Sequence, residues 1–498
     1  MTIFPKPGLA ALWSALLLVC PVSQVLADVV FPSQADGLKD AYNAGAYGEK
    51  PNQTYYSSDL KSPLFFVNVF EKDRVYEAPH LLLSPTVAGQ ERSPIVFDSR
   101  DLSLVYADPG LNGSNPQLQE INGEQYFTYW TGKDMKGWGT GGGTIMNGNF
   151  EVIYNLTAVD LDTGADNHEF QLTHDGGAML NNYHMIIYDL TSINGPSDGR
   201  LQDCAFQEVD LETNEVRFTW HATDHFDLTE TMGADFYEHE NGYDWFHMNS
   251  LFKTLDGNYL ISVRHLRTVA LINGTDGSRI WQVGGKQNSF RDLSDGQATN
   301  FGYQHHARFV DPTFTLEDSK VEITLFDNHV MFDTAPTPGC DHDCSRGLHI
   351  ELNLNDMTAR VVREYYHPDS VQAWAQGGYH SLPNGHALIG WGTVPVFTEF
   401  DNNGEVVMDV QISPWDGDVT SYRVYKSTWV AQPPWNPAVA LVDGSLYVSW
   451  NGATEVVTWS LVGLMYPKPR RWPRELLFIV LPLTRGVMSS RAATTRIL

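Results

Sequence analysis

Past its first 27 residues the chain has no apolar run of the ~18 residues that a membrane helix needs. The longest late one, Leu476–Leu483, is short and broken by Pro482, so no membrane span is expected. Positive charge is also scarce. Lysine and arginine number 32 against 60 acidic residues, a net charge of −28. Such a field repels phosphate backbones, so nucleic acid is excluded as a partner, and an anionic substrate requires a cleft that concentrates local positive charge. Helical periodicity is rarer still; Leu38–Glu49 is the best of few amphipathic windows, expected as a short leading helix.

Cysteine is sparse, with four in all. Cys20 lies in an N-terminal leader: Lys6, an apolar core from Leu9 to Cys20, and small residues before a cleavage point after Ala27. This pattern is that of a secretory signal peptide, which makes the mature protein secreted. Cys204, Cys340 and Cys344 remain. The spacing in CDHDC suits a Cys340–Cys344 loop disulfide in an oxidising compartment, with Cys204 as a competitor and a zinc knuckle using His342 and His349 as the alternative. Export also makes the sequons at Asn52, Asn112, Asn155 and Asn273 acceptors for N-glycans in a eukaryotic host.

What the sequence has in abundance is short β-rich runs joined by Asp-Gly and Asn-Gly turns, as in FKTLDGNYLISVRHL, YHSLPNGHALIGWG and VALVDGSLYVSW. Further strands follow several of these, so the repeating unit is about four strands. Units in series without a linker point to an all-β fold, a six-bladed β-propeller. The expected division is a leader over 1–27, a lead segment over 28–91, the propeller over 92–463 and an atypical basic tail over 464–498, with no closing strand evident near the end.

Histidines recur in similar settings beside these strands: His168 in DNHEFQLT, His247 in DWFHMNSL, and His305 and His306 in FGYQHHARF, with Arg264 ending the strand after His247. Any one alone is ordinary. Recurrence in successive blades suggests convergence on a central channel.

The segments HEFQLT, WFHMNSL…DGNYLISVRH, IWQVGG, YQHHARF, ITLFDN, SRGLHIELNL and LPNGHALIGWG…FTEF together resemble the arylsulfotransferase family in its secreted fungal-type branch, in order across about 92–460. That resemblance implies a six-bladed propeller and transfer of a sulfuryl group from an aryl sulfate donor to a phenolic acceptor through a sulfated histidine, with no cofactor. Carried over, His305 resembles the nucleophile, with His306 in reserve. His247 and Asn249 match a His-x-Asn pair, Arg264 the arginine after the next strand, and His168 a histidine from an earlier blade. The residue types suit the chemistry. Neutral imidazole is a competent nucleophile, Arg264, His247 and Asn249 are fixed donors for sulfuryl oxygens, and His168 is an acid and base for the phenols.

Two other readings compete. Three histidines from three blades could hold a metal for a hydrolase or lyase, although Arg264 beside a dication opposes this. A propeller could also bind aromatic or sulfated ligands without turnover. No metal ligands are assigned. His221 and His225 in WHATDHFDLTET have helical metal spacing but read as a loop, and neither Gly139–Thr144 nor Gly284–Gln287 satisfies a nucleotide P-loop. Trp245, with Phe246 and Trp391, is nominated to stack an aryl ring.

Overall fold

Strand after strand, burial falls from the middle of each sheet to its outer edge. Tyr259–Val263 and Thr268–Ile272 are buried along their whole length. Such β-branched and aliphatic strands pack on both faces against neighbouring sheets. Val152–Leu156 and Val216–His221, the last strands of their sheets, are largely exposed. The computed structural model describes residues 31–135, 137–233, 242–331, 344–443, 445–465, 476–484, 487–488 and 493–497.

Six sheets, each with four antiparallel strands and three of them with a fifth added, form the ring of a β-propeller. Blade one is Tyr425–Ser427, His80–Leu83, Ile95–Asp98 and Leu104–Ala107. Blade two runs from Gly113–Ile121 to Val152–Leu156, blade three from Phe170–Leu172 through Gly177–Tyr188 and Gly199–Asp210 to Val216–His221. Blade four runs from Met248–Lys253 to Arg279–Gly284, blade five from His305–Phe309 to Thr358–Tyr365, and blade six from Gly378–Ser381 to Val406–Gln411. First strands of neighbouring blades touch in blades two and three, four and five, and five and six. The TLDGN turn behaves as its sequence requires: Lys253 pairs with Tyr259, and Gly257 takes a positive φ of 85°.

Closure differs from expectation. Tyr425–Ser427 pairs antiparallel with His80–Leu83, so C-terminal chain supplies the innermost strand of the blade that N-terminal chain begins. Phe66–Phe70 adds to the outer edge of blade six. The ring therefore starts before residue 92 and is complete by Ser427, well short of 463. Beyond it, the hairpin Ala438–Val442 with Ser445–Ser449 leads to Asn451, whose amide pairs with both backbone groups of Ala107. Val456–Met465 and the strands Leu476–Thr484, Val487–Met488 and Ala493–Ile497 form a further sheet.

The helix expected over Leu38–Glu49 spans only Lys39–Asn43, because Gly45 and Gly48 turn to positive φ. Among the described residues no helix is long and apolar enough to cross a membrane. The leader and Cys340 lie outside the described residues. Cys344 is disulfide-bonded and Cys204 is a buried free thiol. Asn112 and Asn155 are exposed; Asn52 and Asn273 are half-buried.

Candidate active site

Each blade hands its chain to the centre at the start of its first strand, and the notable side chains sit at that point. His168 just precedes Phe170–Leu172, His247 just precedes Met248–Lys253, and His305 opens His305–Phe309. Gln376 comes just before Gly378–Ser381 and Tyr422 just before Tyr425–Ser427. Radial closure turns this shared position into a cluster. The Tyr422 ring lies 5.8 Å from that of His168 and 6.3 Å from that of His305, and the His168 and His247 rings are 4.8 Å apart.

The tautomer of His305 follows from its neighbour. The Asn328 side-chain NH2 donates to the carbonyls of Ala373 and Gln376, at 2.8 and 2.9 Å. Its Oδ1 is thereby the acceptor, 2.7 Å from His305 Nδ1, so Nδ1 carries the hydrogen. Nε2 keeps its lone pair, which the Gln376 backbone N–H approaches at 3.3 Å. Burial, reinforced by Arg264 and then by His168 and His247, holds the His305 pKa well below the ordinary histidine range. This imidazole is neutral with a fixed nucleophilic nitrogen.

His168 and His247 form a carboxylate-backed pair. Asp166 Oδ1 is 2.5 Å from His168 Nδ1, and Asp244 Oδ2 is 2.5 Å from His247 Nδ1. A carboxylate only accepts, so both Nδ1 atoms carry hydrogens and the two Nε2 atoms, 3.2 Å apart, share a third between them. Burial first, then His168 and Arg264, lowers the His247 pKa well below its usual value. Asp166 is itself held by the Gly139 and His168 backbone N–H groups.

Arg264 leaves the second strand of blade four beside His247, with its backbone N–H on the His247 carbonyl at 2.9 Å. Its guanidinium lies 3.9 Å above the Tyr303 ring and donates to His265 Nε2 at 2.8 Å and to the Trp374 carbonyl at 3.3 Å. His265 donates in turn to the Asp244 carbonyl, and burial depresses its pKa to about 3, so it stays a neutral acceptor for Arg264. Asp244, His247 and His265 bring three ligand atoms within 4.8 Å of one another. Asp244 Oδ2 and His247 Nδ1 are already engaged with each other, and a guanidinium touching His265 opposes a dication there.

The centre of the channel is closed by charge. Glu169, fully buried, accepts from Arg308 at 2.6 Å and from Arg423 at 3.0 Å. Burial pushes the Glu169 carboxyl up, yet the two guanidiniums outweigh it and hold its pKa below the usual range. On the far side lies a cavity of about 730 Å³ lined by Gln117, Gln171, Arg308, Tyr379 and His380. The doublet divides across this plug. His306 has φ +55° at a break in strand register, and its Nε2 faces the Tyr425 hydroxyl at 3.2 Å on the cavity side.

His168, His247, His305 and Arg264 are thus brought together and His306 is parted from them. Asn249 is wholly buried and commits one amide hydrogen to the Gln304 carbonyl at 2.7 Å, fixing the chain just before His305. Trp245 is placed otherwise than expected. With Asp244 and His247 facing the site, Trp245 turns into the core against Phe246, has no exposure and offers no surface to an aryl ring; Trp391 is likewise buried. Trp374, which meets Arg264 through its backbone carbonyl, has a side chain that is 66 % exposed. Sequence reading missed Trp374, Tyr422, Asn328, Asp166 and Asp244. The available signal for Trp374 and Tyr422 was position, since both stand before an innermost strand as the histidines do.

Residues 117–413 match the profile of the family described as Arylsulfotransferase (ASST). No match was found among curated proteins. Among solved structures, a protein of unknown function from Bacteroides caccae is similar at 15 % identity and TM-score 0.39, over 70 % of this chain and 98 % of its own. The hydrazine synthase of Kuenenia stuttgartiensis aligns at 10 % identity and TM-score 0.35, over 70 % of this chain and 79 % of its own. A GH93 alpha-L-arabinofuranosidase of Fusarium graminearum aligns at 10 % identity and TM-score 0.33, over 79 % of this chain and 94 % of its own.

Proposed function

This chain belongs to the arylsulfotransferase (ASST) family, and on that premise we propose that it moves a sulfuryl group from an aryl sulfate ester to a phenol through a sulfo-histidine at His305. The observation that carries the reading is the fixed Nδ1–H tautomer of His305, which leaves a neutral Nε2 that accepts only a long 3.3 Å contact from the Gln376 N–H, close to a cluster that holds one guanidinium and one shared proton.

The His305 Nε2 lone pair attacks sulfur, and the S–O bond to the aryl group breaks. The leaving phenolate takes the proton shared by His168 and His247. In the second half the acceptor phenol attacks the same sulfur, the S–N bond breaks, and its electron pair returns to Nε2. The acceptor proton restores the shared proton of the histidine pair, so the cycle closes without oxidation or a nucleotide. Splitting one displacement into two in this way is ordinary covalent catalysis. Arg264 stabilises the sulfuryl oxygens, and its loss is expected to cost about 10²–10³ in rate. The exposed Trp374, tied to Arg264 through its carbonyl, is the aromatic residue we assign to the aryl group. The leader over 1–27 and the sequons favour work outside the cell.

The test is turnover of 4-nitrophenyl sulfate with excess phenol, with and without chelator. Nitrophenol release that requires phenol, ignores chelator and disappears in His305→Ala supports the reading. Release abolished by chelator would favour a metal-dependent hydrolase, and no release by folded protein would favour a binding propeller.

A further inference from the structure

Blade three carries a second histidine cluster, away from the reacting groups. His184 lies opposite Asp203 on adjacent strands, and His221 lies opposite Ala205, two residues along from Asp203. Because strand side chains alternate, all three project from one face of the blade. The other face carries Tyr183 and Cys204 into the core. Asp203 Oδ2 is 3.0 Å from His221 Nδ1 and 3.8 Å from His184 Nε2, and the three ligand atoms all lie within 4.8 Å of one another.

A hydrogen bond between His221 and Asp203 would account for two of the three residues. It leaves His184 unexplained. That imidazole is 11 % exposed, its Nε2 stands beyond hydrogen-bond reach of the carboxylate, and its buried Nδ1 has no partner. The ring is half-buried, and Nε2, the nitrogen that faces the carboxylate, is the one placed to bind an ion. Asp203 is supported in turn, since its Oδ1 accepts the Thr223 backbone N–H at 3.2 Å. Metal-bound carboxylates commonly have such outer contacts. His221 is 28 % exposed, which gives an entry path from solvent.

We propose that His184, Asp203 and His221 form a site for one divalent transition-metal ion of the zinc type, separate from the catalytic cluster. Two imidazoles and one carboxylate are a ligand set this ion favours, with a fourth position left for water. Bonds of about 2.0–2.1 Å put tetrahedral ligand atoms about 3.3 Å apart, so the three strands need only small adjustments around the ion. The proton between His221 and Asp203 leaves on binding. Asp162 adds negative charge near His184. His225, at helical spacing from His221, takes no part, because its ring stacks on Trp220 at 5.4 Å. The ion ties together three strands of blade three, one of which carries Tyr183 beside His168 and His247.

The experiment titrates the chelator-stripped full chain with Zn²⁺ by calorimetry and with Co²⁺ by visible absorption, using Ca²⁺ as the hard-ion control. One ion per chain is expected, with cobalt bands typical of low coordination, a raised melting temperature and no response to Ca²⁺. His184→Gln and His221→Gln should each weaken binding by more than the about 10–100-fold that loss of a supporting contact costs. His265→Gln, in the other histidine group, should bind as wild type does. Circular dichroism of the metal-free variants checks the fold, and if His184→Gln is unfolded, the partly exposed His221→Gln decides. Absence of saturable binding by folded wild type would overturn the proposal. So would binding that survives both substitutions, or loss only in His265→Gln.

Discussion

His305 owes its tautomer to an amide with no freedom left. Asn328 spends both hydrogens on carbonyls and so must accept from His305 Nδ1. Asn328→Ala is expected to release the ring and lower kcat by about 10²–10⁴ with little change in KM, since imidazole orientation at a triad is worth that much. Steady-state kinetics on a folded variant checks it, and a rise confined to KM would count against the assignment. The histidines and Arg264 were legible in the sequence because their contexts repeat from blade to blade. Asn328, Asp166 and Asp244 were not, because an amide or carboxylate in a β-rich chain has no distinguishing pattern until its partner is in place. The doublet was ambiguous for a related reason. Only the positive φ of His306 shows that its ring turns to the other side of Glu169.

At the scale of elements, the entry to each innermost strand is where chemistry collects, while the strands behind it supply packing. The Glu169 network pins three such strands, since Glu169 precedes the first strand of blade three, Arg308 lies on that of blade five and Arg423 precedes the closing strand. Glu169→Gln leaves the buried Arg423 and the half-buried Arg308 without a counter-charge, and a loss of about 3–5 kcal/mol is expected. Urea unfolding measures it; a change within experimental scatter would mean that water or other groups already neutralise the arginines. The strands and turns of this architecture could be read from alternation and Asp-Gly turns. The closing strand could not, because Tyr425–Ser427 is three residues long and pairs with chain more than three hundred residues away. The same blindness put the start of the ring too late.

Among the described residues, eight histidines have pKa values below the ordinary range. His80 and His380 fall to about 4 and His265 to about 3, and His184, His247, His305, His306 and His349 are lowered as well, with burial the first cause throughout. The unfolded chain takes up these protons near pH 6.5, whereas the native state refuses them until lower pH. The unfolded state therefore binds more protons in that window, and stability falls as pH drops from about 6.5 toward about 4. Lowered carboxyl groups such as Glu169 act in the same direction at still lower pH. Urea midpoints at about pH 8 and about pH 5 should differ clearly, with the lower at acid pH; equal midpoints would contradict the buried, neutral state of these rings. The net charge of −28 makes the local field of Arg264 the more important, since an anionic donor has to enter against an acidic shell. The most direct single measurement is the intact mass of the protein after brief exposure to an aryl sulfate without acceptor, followed by peptide mapping under mild conditions. The expected result is one added sulfuryl group on the peptide that carries His305, absent from His305→Ala, retained in His306→Asn and discharged by phenol. A folded protein that turns over the donor with no such adduct, or with the sulfuryl group on another residue, would contradict the role given to His305.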